Sequence, residues 1–175
     1  NRKNHMADKF DVSGNGAGPG GYVAAIRAAQ LGAKVALVEK ENVGGTCLNW
    51  GCIPTKALVA STSVLADMKN AESFGLSADN VSYDFGKIMA RKDAIVAQLV
   101  KGIGFLLKKN NVELFQGTGR LLGPGQVEVS SDGETRVVEA AKVILATGSE
   151  PALIRALNYN GNTVITSQEA LALTE

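Results

Sequence analysis

Two periodicities alternate along the chain, and each change between them marks an element. Phe10 to Asn15 forms a strand candidate that leads into Gly16-Ala17-Gly18-Pro19-Gly20-Gly21, and the Ala-rich stretch Tyr22 to Leu31 predicts a helix stopped by Gly32. Lys34 to Glu39 is a short apolar run closed by an acid, the second strand of a parallel β-α-β unit. A glycine-rich loop with two cysteines follows, and Pro54 opens a helix expected to run to about Lys69. From Phe85 onward, Ile88, Met89, Ile95, Val96, Leu99, Val100, Ile103, Leu106 and Leu107 recur at intervals of three and four, one buried face of a long helix ending at Asn110-Asn111. Val112 to Gln116 reads as a brief strand, and Gln126 to Val129 and Arg136 to Glu139 flank Asp132-Gly133, a hairpin signal. Lys142 to Thr147 is a further buried strand ending in a turn at Gly148, and Thr166-Ser167 ahead of an acid opens a last short helix. The order is that of an α/β fold: a parallel sheet with a small antiparallel β insertion.

Composition narrows the function classes. Lys+Arg number 18 against 17 Asp+Glu, a formal net charge of +1, so the chain lacks the basic field that nucleic acid or an anionic membrane demands. No window approaches the roughly 18 apolar residues needed to span a bilayer, and the start has no apolar signal core, so the chain reads as soluble and unexported. Met6 reads as the natural initiator, and residues 1–6 are expected to be a cloning remnant and are set aside. The remaining length suits one domain, over residues 7–150, with 151–175 as a connection onward. Twenty glycines against four prolines point to tight turns or close approaches of backbone to a ligand.

Gly16, Gly18 and Gly21 match G-x-G-x-x-G, whose glycines provide a tight turn, room for a pyrophosphate and close packing of helix on strand. By itself that pattern is weak, and a purely structural turn with Glu39 as a solvated strand end would share it. Here it follows a strand candidate, opens a helix whose dipole favours phosphate, and precedes an acid placed to take ribose hydroxyls. A dinucleotide on a Rossmann-type fold is the better reading.

Cys47 and Cys52 are too far apart for a thioredoxin pair, yet Gly51 and the helix start at Pro54 permit the loop to close a disulfide. Cys52 lies beside a helix N-terminus, which favours thiolate, and Lys56 stands one turn on along the same face. The alternative is two unrelated buried cysteines and a surface lysine. Structural zinc fails on ligand count, because the one histidine is His5, and no metal site is expected.

The segments Gly16 to Gly32 and Gly44-Gly45-Thr46-Cys47-Leu48-Asn49-Trp50-Gly51-Cys52-Ile53-Pro54-Thr55-Lys56 resemble the dihydrolipoamide dehydrogenases, a branch of the flavin disulfide oxidoreductases. Ala146 to Pro151 resembles that family's second flavin contact, and Gly117-Thr118-Gly119 its adenine-side loop. The resemblance runs from Phe10 to Glu175. It implies FAD with its pyrophosphate on Gly16, Gly18, Pro19, Gly20 and Gly21 and its ribose on Glu39 with Lys40 beside it. Gly45, Thr46 and Lys56 then face the flavin end, with Ala146, Thr147 and Gly148 contacting it and Gly117 and Gly119 on the adenine side. Cys47 and Cys52 are, on the same resemblance, a redox disulfide, Cys47 exchanging with lipoamide and Cys52 lying next to the flavin, with Lys56 biasing both. Electrons would pass from dihydrolipoamide on the lipoyl domains of 2-oxo acid dehydrogenase complexes to the disulfide, FAD and then NAD. The resemblance further implies a homodimer, in the cytoplasm or, second, the mitochondrial matrix.

Two departures from that family qualify the expectation. The chain stops before the family's NAD-binding domain and its acid-base histidine, so the 175-residue chain alone is expected to be inactive. The first strand reads Phe10-Asp11-Val12-Ser13-Gly14-Asn15 where the family has an almost wholly apolar run, and buried Ser13 and Asn15 would need hydrogen-bond partners. The last strand, Lys142 to Thr147, is expected to present an unpaired edge. The rivals are a glutathione or mercuric reductase, which share the cysteine segment but not the Tyr22 to Gly32 stretch, and a flavin-binding module without turnover.

Overall fold

The computed structural model describes residues 8–175, so the segment set aside at the start lies outside the described residues. They fall into two compact units, one of residues 8–47 with Val100–Glu150 and one of Leu48–Leu99 with Pro151–Glu175.

The first unit is built on a six-stranded sheet ordered β3-β2-β1-β6-β5-β4. Its strands are β1 (Asp8–Asn15), β2 (Val35–Glu39), β3 (Glu113–Gln116), β4 (Thr118–Gly123), β5 (Gln126–Ser131) and β6 (Glu134–Leu145). β3, β2, β1 and β6 run parallel, and β6, β5 and β4 form an antiparallel meander. Helix α1 (Pro19–Gln30) connects β1 to β2. Every residue of β2 is buried, as expected for an interior parallel strand, and Val35, Leu37 and Val38 each contribute roughly 1.5–3 kcal/mol by leaving water. Phe10, Ala36, Val38, Phe115, Val127, Val129, Val138 and Ala140 make the core, with Phe10 and Phe115 edge to face at 5.7 Å.

Two local expectations are corrected. The second hairpin strand and the strand from Lys142 are one element, β6, which pairs with β5 over Glu134–Glu139 and with β1 from Val138 to Leu145. Thr118 and Gly119, expected in a loop, begin strand β4. Pairing with β5 ends at Glu139, so beyond it Lys142–Leu145 has β1 on one side and no strand on the other among the described residues. The expected open edge is therefore present over the second half of β6.

The second unit holds α3 (Cys52–Lys69), the start of α4 (Phe85–Lys109) and the short α5 (Ser167–Ala170). α3 ends at the expected Lys69, and α4 stops one residue short of Asn110. Arg91 donates to the Ala57 carbonyl at 3.1 Å, tying α4 to α3. Lys92, buried on α4, donates to the Leu171 carbonyl at 2.6 Å and pairs with Asp93 at 2.8 Å, which satisfies its charge. Thr166 and Glu169 form a capping box on α5. No helix among the described residues is long and apolar enough to cross a membrane.

Candidate functional site

The carboxyl ends of β1, β2, β3 and β6 lie side by side, and every candidate segment of the first unit begins there. Gly16 donates its amide to the Val38 carbonyl, Gly117 to Glu39 and Ala146 to Asn15, each at 2.8 Å, so the loops leave the sheet from a continued hydrogen-bond ladder. On one side of β1 the chain progresses through β2 to β3, and on the other lies β6. That reversal is the place where open α/β sheets bind ligands.

The glycine loop is shaped by contact as well as by turn geometry. Gly16 has φ +99°, and a Cβ there would collide with the Ala146 carbonyl. A Cβ on Gly21 would collide with the carbonyl of Gly16, because α1 packs directly on the loop. Gly18 is the N-cap of α1 and Pro19 its first residue, with no side-chain cap. Pro19 and Gly20 are exposed at that helix start, whose unpaired amides and dipole suit an anion. Gly45, at the start of α2 (Gly45–Asn49), lies so near Gly18 that its own Cβ would come within 2.7 Å of the Gly18 Cα.

Glu39 is buried at the end of β2, and both of its oxygens are engaged: Oε2 accepts from the Ala17 amide at 2.7 Å and Oε1 from the Glu41 amide at 2.8 Å. The acid therefore holds the glycine loop in place, a role its position alone did not disclose. Each oxygen keeps a second lone pair, which leaves capacity for hydroxyl donors. Lys40 is ion-paired with Glu150 at 2.7 Å and with Glu41 at 3.6 Å. The hydrogen bond and charge of Lys40 hold the Glu150 carboxyl below the ordinary range, and Glu150 raises the Lys40 ammonium.

Thr46 is exposed and Cys47 half-buried on α2, and Thr147 and Gly148 lie exposed after β6. In the second unit Cys52 is the first residue of α3, with Lys56 exposed one turn along the same helix. Cys47 and Cys52 are both thiols in this structure. Among the described residues no group of three or more His, Cys, Asp and Glu is placed to hold a metal ion.

The residues at the strand ends fit a dinucleotide: an uncapped helix start, a loop with no room for a Cβ at Gly16 or Gly21, and an acid at the next strand end. Asn15 has the hydrogen-bond partner its buried strand position calls for: its Nδ2 donates to the Gly119 carbonyl at 3.2 Å, a partner the sequence does not identify. The signal present was a polar residue in a strand position that calls for an apolar one.

The chain belongs to the pyridine nucleotide-disulphide oxidoreductases, whose family model matches residues 16–175. Within that class it is similar to dihydrolipoyl dehydrogenases. That of Zymomonas mobilis is 47% identical over 95% of this chain and 36% of its own length, and that of Bacillus subtilis 45% over 97% and 38%. LpdA of Mycobacterium tuberculosis superposes with a TM-score of 0.85 at 25% identity, over 97% of this chain and 38% of that one. The flavoprotein disulfide reductase RclA of Escherichia coli, at 24% identity and TM-score 0.78, shares the fold. The chain thus spans a little over a third of the length of the curated relatives it matches.

Proposed function

We propose that the chain is the FAD-binding portion of a dihydrolipoyl dehydrogenase, oxidising dihydrolipoamide through Cys47 and Cys52 with NAD as final acceptor at a site outside this chain. The observation that carries this reading is the convergence of Gly16–Gly21, Glu39, Gly117–Gly119 and Ala146–Gly148 at four adjacent strand ends. Gly18, Pro19, Gly20 and Gly21 present the helix start to the pyrophosphate, and Glu39 offers its remaining lone pairs to the ribose. Gly45, Thr46, Ala146, Thr147 and Gly148 form the flavin side, and Gly117 and Gly119 the adenine side. Bound there, FAD supplies a two-electron carrier between a dithiol and a nicotinamide.

The chain's own chemistry is thiol–disulfide exchange. With Cys47 and Cys52 joined, a substrate thiolate attacks the Cys47 sulfur and displaces the Cys52 thiolate. The second substrate thiolate then attacks the mixed disulfide, closing the lipoamide ring and releasing Cys47. Two electrons pass to the protein, which is left with two thiols. Cys52, the leaving sulfur, is the first residue of α3, and Lys56 places a cation one turn away. Lipoyl domains as substrate carriers, a homodimer and a cytoplasmic setting follow from the same reading.

Titrating the chain with FAD, read by flavin fluorescence, should give saturable binding that Gly18→Glu abolishes. Thiol titration under air should find none before dithiothreitol and two after. A chain that binds no FAD, or two thiols unchanged by dithiothreitol, would refute the respective half of the proposal.

A further inference from the structure

The side chain of Asn15 stands out because nothing in the proposed chemistry asks for it. It lies in β1 immediately before the glycine loop, 7% exposed, where a parallel strand ordinarily carries an apolar residue. Its backbone carbonyl accepts from Ala146, and its side-chain amide donates to the Gly119 carbonyl across 104 residues of sequence. Gly119 is packed so tightly on the carboxamide that a Cβ there would strike it, with Nδ2 itself 2.9 Å away. Two residues earlier Gly117 is bonded through its amide to the carbonyl of Glu39, so the segment Asn15 grips is the one adjoining the ribose acid. One residue thus links the phosphate loop, the Ala146 loop and the strand that starts beside Glu39.

We infer that Asn15 is a positioning residue for the adenosine half of the dinucleotide, holding Gly117–Gly119 in register with Glu39 and the glycine loop. The inference rests on the dinucleotide reading and adds to it a residue that touches no ligand. Because the tie is made by the side chain, an apolar residue of the same size keeps the strand and the Ala146 bond but releases Gly119.

The test compares the unaltered chain with Asn15→Leu, which matches asparagine in shape and cannot donate, and with Ser13→Ala as a control in the same strand that lies two residues from the tie. FAD binding is measured directly, and ADP and inorganic pyrophosphate are measured by competition against it. Asn15→Leu should weaken FAD and ADP by the same factor, about fivefold for one ordinary hydrogen bond, and leave pyrophosphate unchanged. Ser13→Ala should leave all three unchanged. If Asn15→Leu does not fold, Asn15→Ala is read in the same way. Unaltered ADP affinity in the variant, or an equal loss for pyrophosphate, overturns the inference while leaving the nucleotide site standing. No FAD binding by the unaltered chain overturns both.

Discussion

Ser13 occupies the middle of β1, paired in register with Ala36 on one side and Val143 on the other. It is fully buried, and its Oγ finds no hydrogen-bond partner among the described residues. A hydroxyl in that position has given up water and gained nothing, a penalty of about 1–3 kcal/mol. Ser13→Ala removes the oxygen and little else, and should stabilise the chain by about 1 kcal/mol, or roughly 2–4 °C in Tm for a chain of this size. The sharper comparison is Ser13→Val against Ser13→Thr, which have nearly the same shape and differ by the hydroxyl. Any overpacking by the added methyl affects both, so valine should exceed threonine in stability by about 1–2 kcal/mol. Urea unfolding followed by circular dichroism gives both values, provided the slope with denaturant is unchanged. A threonine variant as stable as the valine one, or an alanine variant less stable than the parent, would show that Ser13 is satisfied after all.

The other expectations concern separate parts of the chain. Glu39→Gln keeps one acceptor and should weaken FAD binding more than Glu41→Gln; Glu39→Ala, which strands the Ala17 amide, should also lower Tm, and equal binding losses at both positions would refute the special place of Glu39. Glu169 is held down to about 2 from 4.5 by hydrogen bonds from Thr166 and Tyr159, so it stabilises α5 above pH 4.5 and the contribution fades as pH falls toward 2. Amide exchange in residues 158–171 should rise over that window, and Glu169→Gln should flatten the dependence. Breaking the Lys40–Glu150 pair with Lys40→Met should leave thermal unfolding essentially unchanged, because both side chains are largely in water, and a clear drop in Tm would contradict that.

Much of this was legible in the sequence where local signals agree. The glycine run after a strand, the spacing of three and four through α4 and the Asp132-Gly133 turn each carry their own geometry; Asp132 and Gly133 both adopt positive φ, as a two-residue hairpin turn requires. The continuity of β6 was not legible, because Ala140-Ala141-Lys142 looks like a break and the strand serves an antiparallel partner and a parallel one. β4 escaped for a related reason: Thr118–Gly123 is bounded by glycines and exposes Leu121 and Leu122, so no alternation marks it. The partners of Asn15 and of Glu39 lie in loops whose approach depends on the assembled sheet.

The pairing of β1 with β6 also has a temporal side. Asp8 and Val138 are register partners roughly 130 residues apart in the chain. At a synthesis rate of about 5–20 residues per second, β1 leaves the ribosome on the order of 7–26 s before the strand that will cover its far side. β2 can dock on β1 early, but the opposite edge of β1 waits. An apolar β1 would be an adhesive template during that wait, whereas Ser13 and Asn15 make its surface wetter and less attractive to another nascent strand. Ser13, which weakens the finished sheet, and Asn15 thus make the unfinished one a poorer template, and ribosome-bound chains halted before Val138 should aggregate more when Ser13 and Asn15 are replaced by valine and isoleucine.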